Sequence, residues 1–156
     1  MAFVEPDIND LIKIGMNYVP TNSKLYKCFE MITEMYQSGA EWINARREVL
    51  NKYSHPDFTN VVQNLGFVLI ALLWGKGDMR DTINIALKCG YDTDCTCASA
   101  ASAVGIIKGY KGLGSEITSL INDYSICGID IELESESKRS GGGNSEACVK
   151  STQLQY

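Results

Sequence analysis

The chain has a single histidine, His55, in 156 residues, and its basic side chains are outnumbered by acidic ones, 14 to 19. The resulting net charge of −5 excludes a nucleic-acid surface, which needs clustered Lys and Arg to neutralise phosphates. Bilayer-length apolar runs are also missing. The longest, Leu65 to Trp74, falls short of the ~20 residues that a membrane helix requires, so no membrane partner is expected. The opening Met-Ala-Phe-Val-Glu-Pro has no basic region and no sustained apolar core, so the expectation is a cytoplasmic protein without a secretory leader. No Cys-x-x-Cys occurs among the six cysteines, Cys28, Cys89, Cys95, Cys97, Cys127 and Cys148. In a chain long enough to bury a core, reduced thiols are expected rather than a disulfide framework. Cys89, Cys95 and Cys97 come nearest to a zinc set, but a structural zinc takes four ligands and His55 is distant in sequence.

What is present is mainly helical periodicity. Between Pro6 and Val19 apolar or small residues recur at Ile8, Leu11, Ile12 and Gly15, and Pro20 ends the pattern. Ser23 is a candidate cap for a second helix with Leu25, Cys28, Phe29, Ile32 and Tyr36 on one face, stopped at Gly39. Trp42, Ala45, Arg46 and Val49 carry the pattern into a third helix. After the break at His55-Pro56-Asp57, a helix from about Phe58 to Trp74 becomes apolar nearly all round, which predicts burial on several sides. Asp78 is the expected cap of a short helix through Ile83, Ala86 and Leu87, leading to Gly90.

Beyond, Thr96 to Gly109 is rich in small residues, with Cys97, Ala101 and Gly105 four apart; such a ridge permits close helix approach and predicts a helix deep in a bundle. Strand-like alternation is confined to Ile129-Asp130-Ile131-Glu132, and Glu132, Glu134 and Glu136 read as a solvated face. Ser140 to Ser145 is a Gly/Ser-rich run, so residues 1–135 are expected to form an all-α, multi-helix domain and 136–156 a flexible tail.

The feature with the most chemistry is Gly90-Tyr91-Asp92-Thr93-Asp94-Cys95-Thr96. In extended backbone, Asp92 and Asp94 would point to the same side, because side-chain direction alternates with period two. Two carboxylates so placed repel unless a cation lies between them, and Mg²⁺ suits a few carboxylates plus waters. A helix opening just after Cys95 would add N–H groups and a positive dipole end suited to phosphate. A plainer reading stands beside this one: Asp94 caps the helix and Asp92 with Thr93 makes an Asx-type turn.

From about Leu69 to Gly112 the chain resembles the carboxyl-terminal part of the ADP-ribosylglycohydrolase family. The likeness runs through Ala71-Leu72-Leu73-Trp74-Gly75, the Gly77-Asp78 turn, Gly90, Asp92-Thr93-Asp94-Cys95 and the small-residue helix to Gly109. Weaker similarity reaches upstream to the stretch ending near Pro20 and to His55–Asn64, and downstream to Gly128–Ile131.

The resemblance implies an all-helical fold with a binuclear magnesium centre that hydrolyses the bond between the anomeric carbon of ADP-ribose and an acceptor. It implies Asp92 and Asp94 as metal ligands, with Mn²⁺ as the alternative ion. Cys95 stands third in the candidate set, where many relatives place Thr; a thiol is a poorer partner for a hard ion. Gly90, Tyr91 and Thr93, which flank the aspartates, are the candidate substrate contacts, and no catalytic residue is assigned.

The family's amino-terminal Thr-Asp-Asp cluster, which supplies its other metal ligands, occurs nowhere in this chain. Family domains are also longer. The expectation is therefore an incomplete helical domain carrying the C-terminal half of the metal site, inactive alone, and completed by an N-terminal segment or a second copy. Its expected partners are ADP-ribose or an ADP-ribosylated acceptor. The competing expectation is a catalytically inactive helical module that binds ADP-ribose or a protein.

Overall fold

Side-chain caps set where most of the helices begin. In the computed structural model, which describes residues 7–120 and the backbone of Tyr124–Ile126 and Cys148–Lys150, seven helices are found among the described residues. They are α1 (Ile8–Met16), α2 (Lys24–Gln37), α3 (Trp42–Tyr53), α4 (Val61–Gly75), α5 (Met79–Cys89), α6 (Thr93–Gly112) and α7 (Ser115–Thr118). Ser23 Oγ accepts from Tyr26 N at 3.1 Å, and an Asp78 carboxylate oxygen accepts from Asp81 N at 2.8 Å, so both predicted caps are in place. Asp7 and Asn60 do the same for α1 and α4.

The chain divides into two units, Met1–Leu113 and Gly114–Tyr156. In the first, α4 is the central element, with nine of its 15 residues buried, as its apolar composition predicts. Phe67, Leu69, Ile70 and Leu73 of α4 meet Cys28 and Ile32 of α2, Ala45 and Val49 of α3, and Cys89 at the end of α5. Burying a side chain such as Phe67 or Ile70 contributes about 1.5–3 kcal/mol, so this cluster outweighs every surface ion pair. A second cluster joins α4, α5 and α6 through Ala71, Ala86 and Ala100. The second unit holds α7 and a short antiparallel strand pair, β1 (Tyr124–Ile126) and β2 (Cys148–Lys150), with Ser125 opposite Val149.

Several expectations are corrected. Helix α1 is shorter than the Pro6–Val19 pattern, ending at Met16 well before Pro20. Helix α4 starts at Val61 rather than Phe58: Asn60 takes the cap and Phe58 lies 60% exposed in the preceding turn. That turn is pinned by buried polar groups, since Gln63 Oε1 accepts from His55 N and Asn64 Nδ2 donates to Phe58 O at 2.7 Å. Leu87 does not join the core face of α5 and is 55% exposed. The fully buried row of α6 is Thr96, Ala100 and Val104, while the predicted ridge of Cys97, Ala101 and Gly105 is half-buried beside it, with Cys97 packed on the alanine cluster; α6 therefore lies against the bundle rather than deep within it. Gly109 leaves the helical conformation near its end. The alternation at Ile129–Glu132, the acidic Glu134 and Glu136 and the run Ser140–Ser145 fall outside the described residues.

Helices α4 and α5 approach most closely at Gly75, where a Cβ would stand 2.8 Å from the Thr82 Cα. Alanine normally favours a helix over glycine by roughly 0.5–1 kcal/mol, whereas overpacking costs about 1–3 kcal/mol. Gly75→Ala should therefore lower the unfolding free energy in urea by about 1–2 kcal/mol; a gain in stability would show that the two helices do not meet there.

Candidate metal centre

Helix α5 ends at Cys89, and Gly90 turns the chain with φ 78° and ψ −161°, its N–H donating to the Leu87 carbonyl. Only glycine adopts such a conformation freely. Tyr91 follows in the left-handed region at φ 64°, which costs a non-glycine residue on the order of 1 kcal/mol. Its ring lies against Phe67 of α4, centroids 5.7 Å apart and planes at 39°, while remaining 42% exposed. Thr93 N donates to the Tyr91 carbonyl at 3.0 Å, closing the turn.

The helix then begins earlier than the sequence pattern indicates. Asp92 is the N-cap residue of α6 and Asp94 sits in its first turn, so the pair is not in extended backbone and the period-two argument does not apply. Convergence has another origin: the carboxylate oxygens of Asp92 and Asp94 and the Cys95 Sγ gather at the open end of α6, all within 4.8 Å of one another. Two donors on one octahedral ion at about 2.1 Å would lie about 3–4.2 Å apart. Small rotations of exposed side chains separate the two arrangements.

Nor does the plainer capping scheme describe the geometry. Asp94 is inside the helix rather than at its cap, and the Asp92 carboxylate makes no capping hydrogen bond even though its backbone carbonyl accepts from Thr96 N at 3.0 Å. Asp94 is held below the usual carboxylate range, first by a hydrogen bond with the Asp92 side chain and then by the N–H groups of Asp94 and Cys95. Two carboxylates this close repel each other unless a proton or a cation lies between them. Cys95 is pushed up, chiefly by a hydrogen bond to Asp92, then by the charges of Asp92 and Asp94. Sulfur is in any case a soft donor, a poorer match than a carboxylate for a hard cation. Thr96 cannot stand in for it, because that residue is buried and its Oγ1 faces the Thr93 carbonyl at 3.4 Å.

The zinc alternative fails on placement. Among the described residues Cys89 is wholly buried, Cys95 is exposed, and Cys89 and Cys97 do not join the group around Asp92. Burial pushes both the Cys28 and the Cys89 thiol up to about 12, leaving neither available as a thiolate. His55 is exposed and its Nδ1 accepts from Asp57 N at 3.0 Å.

Two residues behind the acidic turn were not legible as site residues. Phe67 supports the Tyr91 ring, and Arg46 of α3 donates from Nε to the Cys89 carbonyl at 2.9 Å. The available signal was a cation on the inward side of α3, between Trp42 and Val49. Of the larger clefts, one of about 660 Å³ lies between α1, α2 and the end of α4, lined in part by Tyr36, Trp74 and Lys76; it includes no residue of the acidic group.

With this geometry in hand, comparison with known proteins is direct. The family model described as ADP-ribosylglycohydrolase matches residues 1–139, and the chain belongs to that family. No curated protein and no solved structure matches it. The all-α fold is of the ADP-ribosylglycohydrolase type, a hydrolase family whose substrates are ADP-ribosylated. No helix among the described residues is long and apolar enough to cross a membrane.

The electrostatics of the acidic group can be read directly. A carboxyl-detected NMR titration should place the Asp94 midpoint below its ordinary 3.8. Because the native value is the depressed one, the stability this group adds is present above the unfolded carboxyl's midpoint and is lost as pH falls through the lower native one. A midpoint at or above 3.8 would mean that the hydrogen bond to Asp92 and the N–H contacts are not made.

Proposed function

We propose that Asp92 and Asp94 hold a divalent cation, Mg²⁺ or Mn²⁺, in a hydrolase site that cleaves the bond between the anomeric carbon of ADP-ribose and an acceptor. The observation that carries this reading is the gathering of both carboxylates at the start of α6, with the Asp92 side chain left out of helix capping. The ion, when bound, would polarise ribose oxygens and lower the pKa of a water. Asp92 and Asp94 would fix its position, and the positive end of the α6 dipole would favour a substrate phosphate nearby. Gly90, Tyr91 and Thr93 flank the two aspartates, and the 42% exposed Tyr91 side chain is available to a bound nucleotide. Cys95, a soft donor beside them, is left outside this ligand set.

Two carboxylates fill a minority of an octahedral shell, and the chain holds no Thr-Asp-Asp to supply more. We therefore read this chain as carrying one half of the metal site, binding the ion weakly by itself, with the remaining ligands contributed by a further segment or a second copy. The same absence favours one other reading, a catalytically silent module that binds ADP-ribose or a protein partner through the same face.

Both readings meet in one pair of measurements. Mg²⁺ should raise the melting temperature of the purified chain, and Asp92→Ala should weaken that response at least about tenfold in ion concentration. In the full-length gene product, Mg²⁺-dependent release of ADP-ribose from a modified peptide should be lost in Asp92→Ala. Release that is unchanged in the variant removes the hydrolase assignment, and a response to ADP-ribose without any release selects the silent module.

A further inference from the structure

The acidic turn reaches the surface from the end of α5, and what fixes that end is a side chain from a different helix. Arg46 Nε donates to the carbonyl of Cys89, the last residue of α5, 43 positions away in sequence. A Cβ on Gly90 would stand 3.9 Å from the Arg46 Nη2, so the guanidinium also lies beside Gly90. A guanidinium is planar, permanently charged and donates in a fixed fork, which suits it to a terminal helix carbonyl bearing partial negative charge. On the other side of the turn, the Tyr91 ring is seated on Phe67. The Cys89-Gly90 end of the turn is thus held from α3 and Tyr91 from α4 before the chain enters α6.

We propose that Arg46 is a positioning residue for the metal site: by tying the Cys89 carbonyl to α3 it fixes the Gly90-Tyr91 turn and hence the separation and direction of the Asp92 and Asp94 carboxylates. This rests on the reading of Asp92 and Asp94 as ligands, but its structural part can be measured without an ion. Groups that orient ligands commonly govern affinity without touching the metal. The strained backbone of Tyr91 makes such support necessary, because a left-handed tyrosine relaxes unless its surroundings hold it.

The experiment uses Mn²⁺ as a paramagnetic probe and amide NMR of the whole chain. In the wild type, Mn²⁺ should broaden the amides of Tyr91 to Thr96. Arg46→Met should require about tenfold more Mn²⁺ for the same broadening, and Arg46→Lys, which keeps one donor, should recover part of the loss. Trp74→Phe serves as the control, since it removes another long-range bond from a side chain to a backbone carbonyl, Trp74 Nε1 to Ala40 O in the α2–α3 loop at 2.9 Å, near the C-terminal end of α4. It should leave the Mn²⁺ response unchanged. An Arg46→Met chain with wild-type response, or an equal loss in Trp74→Phe, overturns the proposal.

Hydrogen exchange in the metal-free proteins supplies the independent arm. Arg46→Met should speed exchange at the amides of Gly90, Thr93 and Thr96 relative to those of α4, and unchanged relative rates overturn the proposal whether or not Mn²⁺ binds. If the wild type shows no Mn²⁺ broadening at this turn while the exchange result holds, the metal reading alone fails.

Discussion

The contact on which the rest depends is the near-backbone approach of α4 and α5 at Gly75 and Thr82, continued into α6 by Ala71, Ala86 and Ala100. Small side chains contribute little buried area each. What they allow is a short interhelical distance, which lets the larger residues on the flanks of α4, such as Phe67 and Ile70, close against α2 and α3. The direction of α5 is set at this contact, and with it the place where Cys89 surfaces. The acidic turn is thus located by packing that begins at Thr82, roughly 10 Å along α5 from Cys89.

How far the sequence discloses this depends on whether a signal is local. The caps at Ser23 and Asp78 were legible because one side chain and one amide three residues on decide them. Burial of α4 was legible from its nearly uniform apolar composition. The start at Val61 was not, because it follows from buried amides, Gln63 and Asn64, reaching back to the backbone of His55 and Phe58. A polar residue in a helix pattern normally marks the wet face; here the hydrogen bonds take it inside. The fully buried row of α6 lies one position off the predicted ridge for a related reason. Small residues occur at Cys97, Ala101 and Gly105 and also at Thr96 and Ala100, and composition cannot choose between adjacent rows; the facing alanines Ala71 and Ala86 make that choice.

The site shows the same division. Asp92 and Asp94 were recognisable as a pair that converges, but for the wrong geometric reason: an N-cap residue and a first-turn residue meet at the mouth of the helix, not along an extended strand. Period-two alternation and helix-end geometry both bring positions i and i+2 within reach, so the conclusion survives the change of backbone. The support beneath it did not show in the sequence, because Arg46 and Cys89 are 43 residues apart. An arginine on the inward face of α3 has to be satisfied by something, and only the folded chain supplies the helix-end carbonyl that does so.

These placements also separate stability from ion binding. The cluster around Phe67 and Ile70 contains none of the acidic group, and Asp94 and Cys95 are exposed. Folding therefore does not wait for a metal, unlike small zinc domains in which ligation supplies the core. An ion that binds only the folded chain adds RT ln(1 + [M]/Kd), about 1.4 kcal/mol at ten times Kd, which is no more than the burial of one large apolar side chain. At the proposed site a half-filled ligand shell would keep Kd high, so the fold would gain little from the ion. The helix end can consequently remain acidic, open and locally held without loss of the core, which is the condition a site needs if its remaining ligands come from elsewhere.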